Sequence, residues 1–155
     1  MSYSYAIDEL DIKILNALLR NSRISYRRLA RELSIGESTV YSRINKLINL
    51  GILKGFTVIV DYERAGLGVE AFVEVKVKPK DLSDVINQLR EAKGVIAIYE
   101  VSGEYPLLLR IAAKSNEELV RIIDELGNLE PILDINIKYV LRKYENPQSL
   151  IQLLE

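Results

Sequence analysis

Ser38, Ser42, Asn45 and Asn49 recur at four- and three-residue intervals, with Thr39 and Lys46 beside them. On a helix that turns about 100° per residue these positions share one side, opposite Val40. Short hydroxyls, carboxamides and a cation are the groups that reach base edges and phosphate oxygens in a major groove. Such a face needs a buried back, and Val40, Ile44 and Leu47 supply it at the same helical spacing. Just upstream, Leu29, Ala30 and Leu33 stripe a second helix, with Ser25 placed to accept a first-turn N–H. Ser34-Ile35-Gly36 separates the two, and Gly36 is expected to take the positive φ of the turn. Helix, short turn containing Gly, helix is the helix-turn-helix pattern. An ordinary helix pair with a solvated face reads the same way, so the surrounding sequence has to decide.

Charge favours the nucleic-acid reading. The net charge of −1 hides an asymmetry: residues 1–60 carry nine Lys/Arg against five Asp/Glu, and the remainder twelve against seventeen. Arg20, Arg23, Arg27, Arg28, Arg31, Arg43 and Lys46 crowd the segment around the turn, against Glu32 and Glu37. A basic first third and an acidic remainder predict that only the first part meets a polyanion. With neither cysteine nor histidine there is no disulfide framework, no thiolate or imidazole metal site and no histidine relay, so no cofactor is expected. No apolar run is long enough for a bilayer, and Met1 to Asp11 is too polar for a signal peptide, which predicts a cytoplasmic protein with no membrane partner.

Along the chain, Leu10, Ile14, Leu15 and Leu18 predict a helix from Asp8 to Leu19 behind a loose arm, giving three helices by residue 50. Ile52–Phe56 and Thr57–Val60 resemble two short strands, which would make the unit winged. Residues 1–55 are thus expected to form a winged helix-turn-helix domain, and 56–68 a strand and linker pinned by Leu67. From Val69 the apolar period becomes two, predicting a strand over 69–78. Helix 82–93, strands 95–101 and 107–113, helix 118–129 and strand 132–141 (continuing to Tyr144) follow, with Leu107–Ala113 apolar on both sides and so central. The order strand-helix-strand, strand-helix-strand predicts an α+β chain whose residues 69–145 fold as a ferredoxin-like βαββαβ domain. Its uncovered sheet face would carry Phe72, Ile96 and Ile98 and pair with another copy. Residues 146–155 are expected to be a tail with a short helix over Ser149–Leu154.

Leu10-Asp11-Ile12-Lys13-Ile14-Leu15, Leu29-Ala30, Ser38-Thr39-Val40, Arg43-Ile44, Leu47, Gly51–Phe56 and Val101-Ser102-Gly103-Glu104-Tyr105, in this order and spacing, resemble the Lrp/AsnC family of transcription regulators. The resemblance covers nearly the whole chain. It implies sequence-specific binding to double-stranded DNA, with Ser38, Ser42, Asn45 and Lys46 in or lining the groove, Thr39 and Tyr41 at its edge, and Arg27, Arg28 and Arg43 on phosphates. It also implies homodimers built through the second domain and assembled to octamers. An amino-acid effector would bind between subunits at Ser102, Gly103, Glu104 and Tyr105, whose turn can offer backbone N–H groups to a carboxylate. Family members commonly carry an acid where this chain has Pro106. Glu104, or Asn116 and Glu117 at the next helix start, are the candidates to replace it.

Two other classes share parts of the pattern. Haem-pathway decarboxylases resemble the same two-domain architecture but lean on histidine, which this chain lacks. A metabolite sensor acting through a protein partner would need aromatic or aliphatic anchors where Ser38 to Asn49 is polar.

Overall fold

The computed structural model describes residues 7–144 together with Asn146 and Ser149; the rest of the expected arm and tail helix lies outside the described residues. The chain divides into two compact units, one taking the chain up to Ile59 and again from Tyr144, the other running Val60–Lys143. In the first, α1 (Glu9–Arg20), α2 (Tyr26–Leu33) and α3 (Glu37–Asn49) pack around Ile14, Leu29, Val40, Ile44 and Leu47, which have almost no exposed surface. Each such side chain contributes about 1.5–3 kcal/mol by leaving water. Asp8 caps α1 by accepting the Asp11 N–H, and Asp11 accepts the Asp8 N–H in return. Ser25 caps α2 through the Arg28 N–H, as its position predicts.

Three expectations are corrected here. Ser34, not Gly36, takes the left-handed conformation (φ 55°), because it ends α2 with its N–H on the Ala30 and Arg31 carbonyls. Gly36 has φ −72° and is the N-cap of α3, a position that needs extended backbone instead. Nor do Ile52–Phe56 and Thr57–Val60 form the expected wing strands. After α3, Ile52 and Leu53 turn back onto the Leu47 carbonyl and Leu53 joins the helical core. Residues 54–60 then run on without a ladder partner among the described residues, and a strand is defined by its partner.

The second unit contains β1 (Val69–Val77), α4 (Leu82–Glu91), β2 (Val95–Glu100), β3 (Leu107–Ala113), α5 (Asn116–Gly127) and β4 (Ile132–Tyr139). A short 3-10 turn, Pro79–Asp81, leads into α4. The sheet order is β2-β3-β1-β4 with every neighbour antiparallel, the ferredoxin-like arrangement, and β3 is central as its composition predicts. Ala71, Val73, Val75 and Val77 point to the face covered by both helices, meeting Val85 and Leu89 of α4 and Leu119, Ile122 and Leu126 of α5. α5 begins two residues before its predicted start because Ser115 caps it through the Glu118 N–H. β4 ends at Tyr139, short of the predicted Leu141.

The open face differs from expectation in one residue. The register of β2 shifts between Val95 and Ala97, so Ile98 lies opposite buried Leu109 and packs into the core instead of outward. Phe72 remains on the open face, where Leu108 joins it around an open depression of about 940 Å³. The surrounding positions are charged. Glu74 holds Lys138 and Asn136, while Glu70 holds Arg110 at 2.7 Å and Lys143 at 2.5 Å. Burial pushes the Glu70 carboxyl up, but those two cations outweigh it and hold it below the ordinary range. Arg110 and Lys143 also lie over the ring of Tyr62, 5.6 and 5.2 Å from its centroid. The linker turn is therefore anchored by Tyr62, which the sequence did not single out.

Gly94, between α4 and β2, has φ +87°, and a Cβ there would stand 2.6 Å from Ile122 Cδ1 and 3.2 Å from the Ala112 carbonyl oxygen. Gly94→Ala should destabilise the second unit by about 1–3 kcal/mol. Urea denaturation checks this, and an unchanged midpoint would contradict the packing described.

Candidate nucleic-acid interface and effector turn

The polar face of α3 is built as its spacing predicts. Ser38, Tyr41, Ser42 and Asn49 are exposed and Asn45 is half-buried, all turned from the Val40–Ile44–Leu47 stripe. Tyr41, Ser42, Asn45, Lys46, Asn49 and Leu50 line one open groove of about 520 Å³. Tyr41 is steadied by Tyr26 of α2, with ring centroids 6.2 Å apart and planes tilted by 58°. Thr39 is half-buried at the first turn. Arg27 and Arg28 are exposed on α2, where Arg28 Nε meets Glu32 Oε1 at 2.9 Å across one helical turn. That pair is solvent-exposed, so it holds the guanidinium only weakly.

Arg43 and Lys46 have a different engagement from the one their sequence positions suggest. They occupy the flank of α3 between its buried stripe and its polar face, and both reach the N-terminus of α1. Arg43 Nη1 contacts Asp8 Oδ2 and lies 3.2 Å from Asp11 Oδ1, while Lys46 Nζ lies 2.5 Å from Asp11 Oδ2. Asp11 has no exposed surface, whereas the Asp8 side chain is 51% exposed. The Arg43 guanidinium holds the Asp8 carboxyl down to about 2, with the Asp11 backbone N–H adding to the effect. Sequence reasoning gave neither Asp8 nor Asp11 a site role and missed their partners. The signal was the Asp-x-x-Asp spacing of a reciprocal cap facing a basic helix.

The candidate effector residues do not come together within one chain. Ser102–Tyr105 precede β3, whereas Asn116 and Glu117 follow it, and a strand of seven residues separates its ends by roughly 20 Å. Asn116 and Glu117 are exposed at the start of α5 and complete no site with the turn of the same protomer. The turn instead meets two residues that the sequence did not single out. Lys76 Nζ binds Glu104 Oε1 at 2.6 Å, and the Tyr105 hydroxyl donates to Asp134 Oδ2 at 2.6 Å. Lys76 and Asp134 face each other across β1 and β4, so the sheet register brings this quartet to one end of the sheet. Gly103, at φ +124°, allows the turn, and Ser102, Gly103 and Glu104 remain exposed. Val101 N–H donates to the Pro106 carbonyl, so Pro106 closes the turn without needing an N–H of its own.

The hydrogen bond to Asp134 pushes the Tyr105 phenol up to about 12, and the same bond holds Asp134 below its usual range. A phenol raised in the folded state stabilises fully below pH 10 and loses that contribution as pH rises through about 12. An alkaline titration of tyrosine ring-carbon signals should show one phenol ionising near 12. Tyr105→Phe should remove that signal and raise the Asp134 carboxyl. Ionisation of every tyrosine in the ordinary range would contradict the bond.

Comparison with known proteins agrees with this architecture. Residues 7–48 match the AsnC-type helix-turn-helix domain model, and residues 70–150 match the Lrp/AsnC ligand binding domain. An uncharacterised HTH-type transcriptional regulator of Pyrococcus abyssi is 33% identical over 87% of this chain and 92% of its own. The HTH-type transcriptional regulator LysM of Sulfurisphaera tokodaii is 35% identical over 88% of this chain and 96% of its own. Among solved structures, E. coli AsnC superposes with a TM-score of 0.83 at 27% identity, covering 90% of this chain and 95% of that one. A Neisseria meningitidis transcriptional regulator, solved as an L-Met complex, shares the fold with a TM-score of 0.84 at 23% identity, over 90% of this chain and 93% of that one. With its polar-faced recognition helix on a three-helix unit and its four-stranded second unit, the chain belongs to the Lrp/AsnC family of DNA-binding transcriptional regulators.

Proposed function

We propose that this regulator reads double-stranded DNA in a sequence-specific manner through the groove-forming face of α3, and that an amino acid bound between subunits of a homo-oligomer modulates it in the cytoplasm. The observation that carries the DNA reading is the outward row of exposed Ser38, Ser42 and Asn49 with half-buried Asn45, backed by the buried stripe and flanked by exposed Arg27 and Arg28 on α2. Neutral hydroxyls and carboxamides discriminate base edges, while the α2 guanidiniums neutralise phosphates whatever the sequence. A dimer presents two such helices to half-sites about one helical turn apart, or a multiple of it. The reading involves no catalytic step, cofactor or metal.

The second unit supports the effector part of the proposal. It matches a ligand binding domain model, and a regulator of the same fold was solved with L-Met. Exposed backbone at Ser102–Glu104 suits a carboxylate, and Glu104 suits an ammonium once Lys76 moves aside. Phe72 and Leu108 on the open face, ringed by charges, suit pairing with a second copy. Octamer formation from such dimers follows the family resemblance.

Two experiments test the proposal. Arg27→Ala with Arg28→Ala should weaken DNA binding and flatten the slope of log affinity against log salt by about 1.8, since each phosphate contact contributes about 0.9. Fluorescence anisotropy reads both, and unchanged affinity would remove α2 from the interface. A thermal-shift screen of the standard amino acids with light scattering should find one that raises Tm and changes the assembled mass. At a hundred times its Kd a ligand stabilises by about 2.7 kcal/mol. A silent screen would rule out the amino-acid reading of the turn.

A further inference from the structure

The cluster joining α1 to α3 contains two carboxylates and two cations, and the two acids differ in setting. Asp11 is sealed from solvent and receives both Arg43 and Lys46. Asp8 stands at the protein boundary, with its side chain 51% exposed and that of Arg43 29% exposed. One Asp8 oxygen caps α1 through the Asp11 N–H, and the other contacts the Arg43 guanidinium. A carboxylate and a phosphate engage a guanidinium through the same charge-assisted hydrogen bonds. Asp8 thus offers Arg43, from within the chain, what a DNA backbone would offer it from outside.

The geometry points to Asp8 as a specificity-setting residue for DNA binding, one that withholds Arg43 from phosphate and so restrains sequence-independent attachment. This rests on the placement of α3 on DNA proposed above. Binding to arbitrary sequence is almost entirely a charge effect, because released counterions supply its driving force. A recognition helix whose flank is neutralised gains little from arbitrary duplex and depends on the hydrogen bonds of its polar face. Lys46, one turn further along, is held the same way by Asp11, so the flank as a whole carries two cations matched by two acids. Exposed Arg27 and Arg28 are left as the cations that meet the backbone.

The test uses the full chain and a random-sequence duplex. Asn caps a helix as well as Asp does, so D8N removes the charge while keeping the cap. D8N should bind the random duplex about three- to tenfold more tightly near 0.1 M salt and steepen the salt slope by about 0.9, the signature of one further phosphate contact. Adding R43Q to D8N should cancel both gains. Glu9→Gln changes net charge equally but releases Lys13 instead of Arg43, and should leave the slope nearly unchanged. The proposal is overturned if E9Q matches D8N, if the slope stays flat in D8N, or if the gain survives in the double variant. Should D8N fold poorly, D8S, which also keeps a capping oxygen, takes its place. Loss of the fold in both would overturn the idea too, by showing that Asp8 serves the fold and not the charge balance. A wild-type chain that binds no duplex at any salt would refute the DNA placement itself, a distinguishable result.

Discussion

Asp11 is an acidic side chain with none of its surface in water, and the first unit is arranged around it. An isolated charge so placed would cost several kcal/mol, so it needs partners, of which Lys46 at 2.5 Å is nearer than Arg43 at 3.2 Å. They come from the Asp8 N–H and from two side chains of α3, more than thirty residues later in the chain. Apolar contacts alone would hold α1 against α3 over a range of rotations. Directional ion pairs on one flank select a rotation, and that selection fixes where the polar face of α3 points. The direction of the polar face of α3 is thus set by a buried acid on α1.

The second unit solves a different problem by plain alternation. Every other residue of β1 enters the core, and both helices settle on that side. The opposite face keeps Phe72 and Leu108 within a lattice of paired charges. The same alternation carries Lys76 and Asp134 to the end of the sheet where the Ser102–Pro106 turn arrives, so the turn is held by strand register as well as by its own backbone.

What could be read from the sequence follows from how local each feature is. Helix stripes, the Ser25 cap and the period-two run of β1 depend on neighbours a few residues away, and these appear as predicted. Ile98 was assigned to the wrong face because one register shift in β2 inverts parity, and nothing in Val95–Glu100 marks it. The apolar run at Thr57–Val60 was legible, but its lack of a partner was not, since a ladder depends on a second segment. For the same reason the role of Asp11 was not legible: its burial is decided by α3. Residues 105 and 116 are close in sequence, yet β3 stands between them, so the two parts of the expected inter-subunit effector set lie apart within one chain.

Phe56–Val60 has a consequence of another kind. Val58 is 79% exposed and Ile59 96%, in a stretch of strongly β-forming residues with no charge and no proline. Such a window is a template for backbone addition by any passing chain. Solubility of this protein is therefore coupled to how its linker is covered. Keeping it uninterrupted by a lysine or proline gatekeeper is a hazard the chain carries at the sequence boundary of its two compact units.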